Sequence, residues 1–468
     1  VQQLLRHSHR LTVLHVAQPT TGGVARVVAD LARAQCRDGV RALVACPSGG
    51  ALSAAAAAAG AEVLPWAAVR EPGPGLVREA AAVARTVRDV RPDLVHAHSA
   101  KAGLAVRLAV RGRTPTVFQP HAWSFEAAAG VRGGLALGWE RYAARWADRV
   151  LCVSEAELRR ARRSGVRARW ALIRNGVDTE LFRPAAPAER RRARARLRAA
   201  YGLPERGPLA VCVGRLCHQK GQDVLLRAWP AVAARVPGAR LALVGDGPAR
   251  GALRRLADGQ SAAAHGRGEV ARVGGQSAAG RLAGEQTAGG RLAGGSAGGR
   301  PLFAGESDDT GLWYAAADLV VLPSRWEGMA LAPLEAMACG RPVVLSDVDG
   351  AGESLPPGQA ATCLVRPDDP RALAASVARL LADAPLREEL GGQAREHVRA
   401  AGDVGRATAA VLALYGDVLG LPEPVPDPVA EPVPDPVARE ADPVAREAEA
   451  AVPAPGPEPA APEGLVRR

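Results

Sequence analysis

From residue 11 onward, short apolar runs alternate with longer stretches whose apolar positions recur at helical spacing. LTVLHVA, VRALVAC, AEVLPW and DLVHAH read as strands, with residues 24–39 and 76–91 as helices between them. A second series opens after Pro204: LAVCVG, a helix over 222–235, RLALVG, a helix from Pro248, DLVVLP and RPVVLS. Near-continuous apolar strands alternating with helices predict parallel sheets covered on both faces. The pattern therefore gives an α/β chain of two facing Rossmann-like domains, 10–184 and 207–402. An interdomain linker is expected over 185–206, and a final helix over 403–420.

Two segments fit neither core. Residues 259–300 repeat a Gly/Ala/Ser/Arg unit (QSAAGRLAGE, QTAGGRLAGG) too poor in apolar side chains to pack, which predicts a disordered low-complexity insertion. Residues 421–468 are rich in Pro, Glu and Ala and repeat EPVPDPVA, which predicts a disordered, extended tail.

Composition sharpens the picture at a few positions. The 468 residues are 48% hydrophobic, enough for two cores. A formal charge of +12 admits nucleic acid, an anionic membrane or a phosphate-bearing substrate, and charge alone does not choose. Arginine is abundant and lysine nearly absent, so Lys101 and Lys220 stand out, as do the lone Asn175 and the two methionines, Met329 and Met337. Seven cysteines without a CxxC pair imply neither a zinc site nor a disulfide framework, and fit a reducing cytoplasm. No run of about 18 apolar residues occurs, so membrane contact is expected to be peripheral.

The most informative stretch is DLVVLPSRWEGMALAPLEAMACGRPVVLSDVDG. A strand turns at Pro323, passes Glu327 and Gly328, and enters a helix near Pro333. Residues Gly328, Met329, Ala330 and Leu331 would then present free amides at a helix N-terminus, a natural phosphate site. Glu335 in that helix is placed to accept from ribose hydroxyls. In CVGRLCHQKGQDVLLRAW, Arg215 and Lys220 lie after a strand, where α/β sheets bind ligands, and would neutralise a diphosphate. Gly245 in VGDGP is either a tight turn or a nucleotide contact. Gly22 and Gly23 in the first strand-to-helix loop let amides approach a diphosphate from the opposite wall. His121 ends a strand at the same edge. His96 and His98 lack further ligands in the sequence for a metal, so a polar pair facing the cleft is expected. His98 and Lys101 are acceptor-side candidates.

Together these segments resemble the retaining GT-B glycosyltransferases of family four, over roughly residues 11–419 apart from the insertion. IRNGVDTELFRP, VGRLCHQKGQDVLLRA and above all EGMALAPLE, with two glutamates separated by seven residues, carry the resemblance. It implies an acceptor-side N-terminal domain and a C-terminal domain that binds a nucleotide sugar. It also implies Arg215 and Lys220 on the donor diphosphate, Glu335 on the ribose, and the amides of Met329 to Leu331 near phosphates and sugar. Glu327 would lie on the sugar hydroxyls, His121 beside the transferred sugar and Gly23 against the diphosphate. The 403–420 helix would cross back to the N-terminal domain.

The resemblance implies no metal and no cofactor, with the nucleoside-diphosphate sugar as co-substrate and a sugar, lipid-linked or small-molecule acceptor; nucleic acid is not an expected partner. The insertion departs from the family pattern and puts base contacts near it in doubt. Two other readings stand beside this one: a non-hydrolysing nucleotide-sugar 2-epimerase, against which EGMALAPLE argues, and a non-catalytic nucleotide-sugar-binding protein. In the basic runs at 157–169 and 189–198, Ser154 with Glu157 forms a capping box, so the first is chiefly a solvated helix face. Attraction to an anionic inner leaflet is its secondary reading.

Overall fold

The computed structural model describes residues 10–70, 73–126, 130–269 and 300–421. The first sheet holds β1 (Thr12–Ala17), β2 (Arg41–Cys46), β3 (Glu62–Pro65), β4 (Leu94–His98), β5 (Thr116–Gln119), β6 (Arg149–Cys152) and β7 (Trp170–Leu172). All are parallel, in the order β3-β2-β1-β4-β5-β6-β7. The second holds β8 (Leu209–Val213), β9 (Arg240–Val244), β10 (Leu302–Gly305), β11 (Leu319–Leu322), β12 (Val343–Ser346) and β13 (Leu364–Val365). Its order is β10-β9-β8-β11-β12-β13, again parallel. Two Rossmann-like halves result, as the apolar rhythm requires: every residue of β4, β5, β8 and β11 is buried.

Residues 185–206, expected as a linker, instead form the helix Pro187–Tyr201, which belongs to the second half. Its basic run is largely engaged. Arg194 donates to the carbonyls of Ala316 (2.6 Å) and Gly207 (3.0 Å), and both Arg190 and Arg194 pair with Asp318. Asp318 also accepts from the Leu209 amide at 2.7 Å, so one carboxylate fixes this helix to the start of β8. The proposed insertion begins within the helix Arg250–Glu269; residues 270–299 and 422–468 lie outside the described residues.

The helix Val404–Val418 returns to the first sheet, where Val411, Leu412 and Tyr415 pack with Leu11, Val13, Leu94 and Val117. Its entry is fixed by backbone bonds between Val177 and Gly402 (2.8 Å) and Val404 and Val177 (3.1 Å). Gly176 is required there, since a Cβ on it would lie 2.5 Å from the Asp403 carbonyl oxygen.

Lys101, an acceptor-side candidate from sequence, is in the interior between the helices Leu76–Val90 and Ser99–Val110. Its ammonium sits 2.6 Å from Glu79, both side chains about 5% exposed or less. Removing one member of a buried pair strands the other charge. Lys101→Met should therefore lower unfolding free energy by roughly 3 to 5 kcal/mol, and adding Glu79→Gln should recover part of it. Equal denaturant midpoints for parent and Lys101→Met would show that the pair contributes nothing.

Candidate active site at the facing sheet edges

Strand order reverses between β1 and β4 and between β8 and β11, and crevices for ligands form at the carboxyl ends of such strands. After β8 the chain passes Gly214 and Arg215 into a short turn, His218–Lys220, ended by Gly221 at φ 62°. A Cβ on Gly221 would lie 2.0 Å from the Pro323 carbonyl oxygen, so glycine lets this loop settle on the loop after β11. The Arg325 amide donates to the Gln219 carbonyl (2.7 Å), Gln219 Nε2 to the Trp326 carbonyl (3.0 Å), and the Arg325 guanidinium forks onto Asp223. This docking brings Lys220 Nζ to 2.5 Å from Glu327 Oε1. Arg215, partly buried, lies in the same loop as Lys220, its guanidinium without a carboxylate partner among the described residues.

The helix after Glu327 runs Leu331–Ala338, starting two residues before Pro333. Proline is harmless there, because the first four amides of a helix lack an intrahelical acceptor. Asn175 Nδ2 donates to the Met329 carbonyl at 2.8 Å, and no side chain caps the helix at Ala330. Glu335, buried one turn in, accepts from Tyr314 Oη at 2.8 Å. Burial raises its pKa, while the Tyr314 hydrogen bond and the field of Arg26 act in the opposite direction.

Arg26 comes from the facing half, on the helix Gly22–Arg37, and lies over the Phe182 ring at 5.6 Å. Gly22 and Gly23 open that helix, which also lacks a side-chain cap; a Cβ on Gly23 would stand 3.8 Å from Leu331. Two uncapped helix N-termini thus converge, and their dipoles and amides favour an anion between them.

Gly245 has a backbone reason of its own: a Cβ on it would lie 2.2 Å from the Gly214 carbonyl oxygen, so it lets the β9 loop pass over the Arg215 segment. His121 follows β5 with φ 58°, and Ala122 with φ 154°, both unfavourable for side-chain-bearing residues. The His121 carbonyl faces Gly328, where a Cβ would be 2.8 Å away.

His98 does not face the cleft as a free acceptor-side group. It is fully buried, its Nε2 3.0 Å from His15 Nδ1 and its Nδ1 3.3 Å from His121 Nε2. His15 lies opposite His96 in the β1–β4 register, and its Nε2 is 2.9 Å from Gln35 Oε1. His96 Nδ1 is 2.6 Å from Tyr415 Oη. The third imidazole that the sequence did not supply to His96 and His98 is therefore His15: nitrogens of the three lie within 4.8 Å of one another. Sequence reading also missed Arg26, Gln35 and Tyr314. The one available signal was a histidine inside the otherwise apolar run LTVLHVA.

A model described as Glycosyltransferase Family 4 matches residues 21–181, and one described as Glycosyl transferases group 1 matches 207–276 and 269–383. The chain belongs to glycosyltransferase family four. The first match takes in Gly22, Gly23 and His121; the second takes in Arg215, Lys220, Glu327 and Glu335. It is similar to the GDP-mannose-dependent alpha-(1-6)-phosphatidylinositol monomannoside mannosyltransferase of Mycolicibacterium smegmatis, 34% identical over 229 residues, 47% of this chain and 49% of that one. It is also similar to the lipopolysaccharide core biosynthesis mannosyltransferase LpcC of Rhizobium leguminosarum, 32% identical over 260 residues, 53% of this chain and 60% of the other. The chain spans about half the length of the curated relatives it matches. Among solved structures, Anabaena Alr3699/HepE in complex with UDP and glucose superposes with a TM-score of 0.69 at 23% identity, covering 87% of this chain and all of that one. That likeness shows the two-domain GT-B fold of this family-four chain.

Burial favours the neutral form of two histidines of this family-four chain, lowering His15 to about 4 and His121 to about 3 from an ordinary 6.5. A depressed folded value means that the unfolded chain takes up protons which the folded chain refuses. The stabilisation is whole above pH 6.5 and is lost as pH falls toward the folded value. The denaturant midpoint of the parent should therefore fall relative to that of His15→Gln as pH is lowered from about 7.5 to about 5. Parallel profiles would show that His15 titrates freely in the fold.

Proposed function

We propose that this family-four chain is a retaining, metal-independent hexosyltransferase that moves a sugar from a nucleoside diphosphate to an acceptor hydroxyl. The observation that carries the reading is convergence: Lys220 paired with Glu327, Arg215 in the same loop as Lys220, and two helix N-termini meeting at Gly23 and Leu331. The diphosphate lies between these amides, with Lys220 and Arg215 supplying the positive charge that a metal would otherwise bring. Glu335, oriented by Tyr314, accepts from the ribose.

When the phosphates engage Lys220, Glu327 is released from its ion pair to accept from the sugar hydroxyls. The acceptor oxygen bonds to the anomeric carbon on the face from which the diphosphate leaves. The bond from that carbon to the phosphate oxygen breaks, and the hydroxyl proton passes to that oxygen. Configuration is retained. The mannosyltransferase names of the relatives support GDP-mannose as the first donor to try and a lipid-linked or envelope acceptor. No helix among the described residues is long and apolar enough to cross a membrane, and Arg159, Arg162 and Arg163 form an exposed basic face on the helix Glu155–Arg163. These features support peripheral contact with the anionic inner face of a membrane.

Thermal shift against GDP-mannose, UDP-glucose and ADP-glucose reads the donor, since a ligand bound only by the folded state raises apparent stability with the logarithm of its saturation. With the donor so found, Lys220→Ala should reduce turnover by about a hundredfold or more, the worth of one charged partner at a developing anion. Turnover within twofold of the parent would remove Lys220 from the leaving-group site.

A further inference from the structure

The buried histidines form a directed chain that ends at the active-site edge. Gln35 Oε1 accepts only, so His15 Nε2, 2.9 Å away, must carry the proton. A neutral imidazole holds one proton, which leaves His15 Nδ1 as an acceptor. His98 Nε2, 3.0 Å from it, is then the donor, and His98 Nδ1 becomes the acceptor. His121 Nε2, 3.3 Å from that atom, is the donor in turn. We infer that Gln35, His15 and His98 are positioning residues that fix His121 as its Nε2–H tautomer, so that its Nδ1 lone pair is presented to a hydroxyl in the cleft.

Each link is supported separately. His15 and His98 are fully buried, and burial depresses the pKa of all three imidazoles, so each carries a single proton at neutral pH. His121 retains some solvent exposure, and its Nδ1 has no hydrogen-bond partner among the described residues. The left-handed backbone at His121 holds the ring where Nε2 meets His98. A ring that must accept from a hydroxyl cannot be left to choose its tautomer, and a second imidazole fixes that choice only if its own proton is fixed from behind.

The same imidazoles suggest a metal, because nitrogens of His15, His96 and His98 lie within 4.8 Å of one another, with Gln119 acting on His96 and His98. A dication there would have to bring its own counter-charge, as the hydroxide does at three-histidine zinc sites. No carboxylate acts on His15, His96, His98 or His121, and a dication held only by neutral groups in a dry interior is uncompensated.

The inference rests on the glycosyltransferase reading only for the use made of Nδ1; the tautomer itself is measured without donor. In full-length protein labelled with 15N-histidine, long-range 1H–15N correlation spectra should show His15, His98 and His121 all protonated at Nε2. His121 protonated at Nδ1, or about one equivalent of zinc in the purified protein by elemental analysis, would overturn the chain. Gln35→Leu should leave His121 a mixture of tautomers and reduce kcat by roughly tenfold, the worth of one neutral hydrogen bond, with little change in donor KM. Correct tautomers with no turnover of any donor would count against the activity and leave the chain standing; turnover with the wrong tautomer would do the reverse.

Discussion

The two halves of this molecule meet through backbone, and that contact sets the position of every group in the cleft. The Gly328 carbonyl oxygen would lie 1.7 Å from a Cβ on Gly350, and a Cβ on Gly328 would lie 2.8 Å from the His121 carbonyl oxygen. Three segments, one from the first half and two from the second, are stacked with no room for a side chain between them. Packed backbone has few ways to deform, so the distance from His121 to the loop bearing Glu327 is fixed by main-chain contact rather than by adjustable side chains. Carboxylates reinforce the seam: Glu353 accepts from the amides of Glu155 (2.9 Å) and Ala156 (2.8 Å), so a residue of the second half caps a helix of the first. That helix is capped twice, since Ser154 Oγ accepts from the Glu157 amide at 3.1 Å.

What the sequence made legible follows from what each signal measures. Apolar runs report burial on both faces of a strand, and they placed most of the strands and the two series correctly because parallel central strands leave no polar face. Helix starts were less legible. The helix bearing Gly22 begins at the glycines, and that bearing Glu335 begins before its proline, because neither start is marked by a capping side chain. Residues 185–206 were read as a linker, whereas the helix Pro187–Tyr201 is held by a partner far away in sequence: Asp318, more than a hundred residues on, accepts from two of its arginines.

Candidate site residues divide along the same line. Arg215 and Lys220 share one segment and Glu327 and Glu335 another, each with local spacing, and the segments follow the neighbouring strands β8 and β11. Lys101 and His98 stood out by rarity and position, yet rarity records only that a residue type is needed, not where its charge or ring is directed. Lys101 is needed by Glu79, and His98 by its neighbours on either side. Glycines were ambiguous for a related reason. Gly245 read as either a tight turn or a nucleotide contact and Gly328 as a phosphate contact, and each proves to be demanded by a neighbouring carbonyl; the demands are compatible because a backbone that another segment approaches closely is also one that a ligand can approach.

The Lys220–Glu327 pair explains why a strongly basic groove need not bind anions indiscriminately. With the ammonium 2.5 Å from a carboxylate, the charge of Lys220 is compensated, and a simple anion must compete with Glu327 for it. A ligand that carries hydroxyls next to its phosphates does not face the same competition, because it offers the displaced carboxylate new donors at the moment it takes the ammonium. Discrimination then comes from recombining partners and not from net attraction. On the proposed donor site, the uncapped amides at Leu331 and Gly23 would contribute in both cases, and selectivity for a sugar-linked diphosphate over free phosphate would be carried by that single exchange.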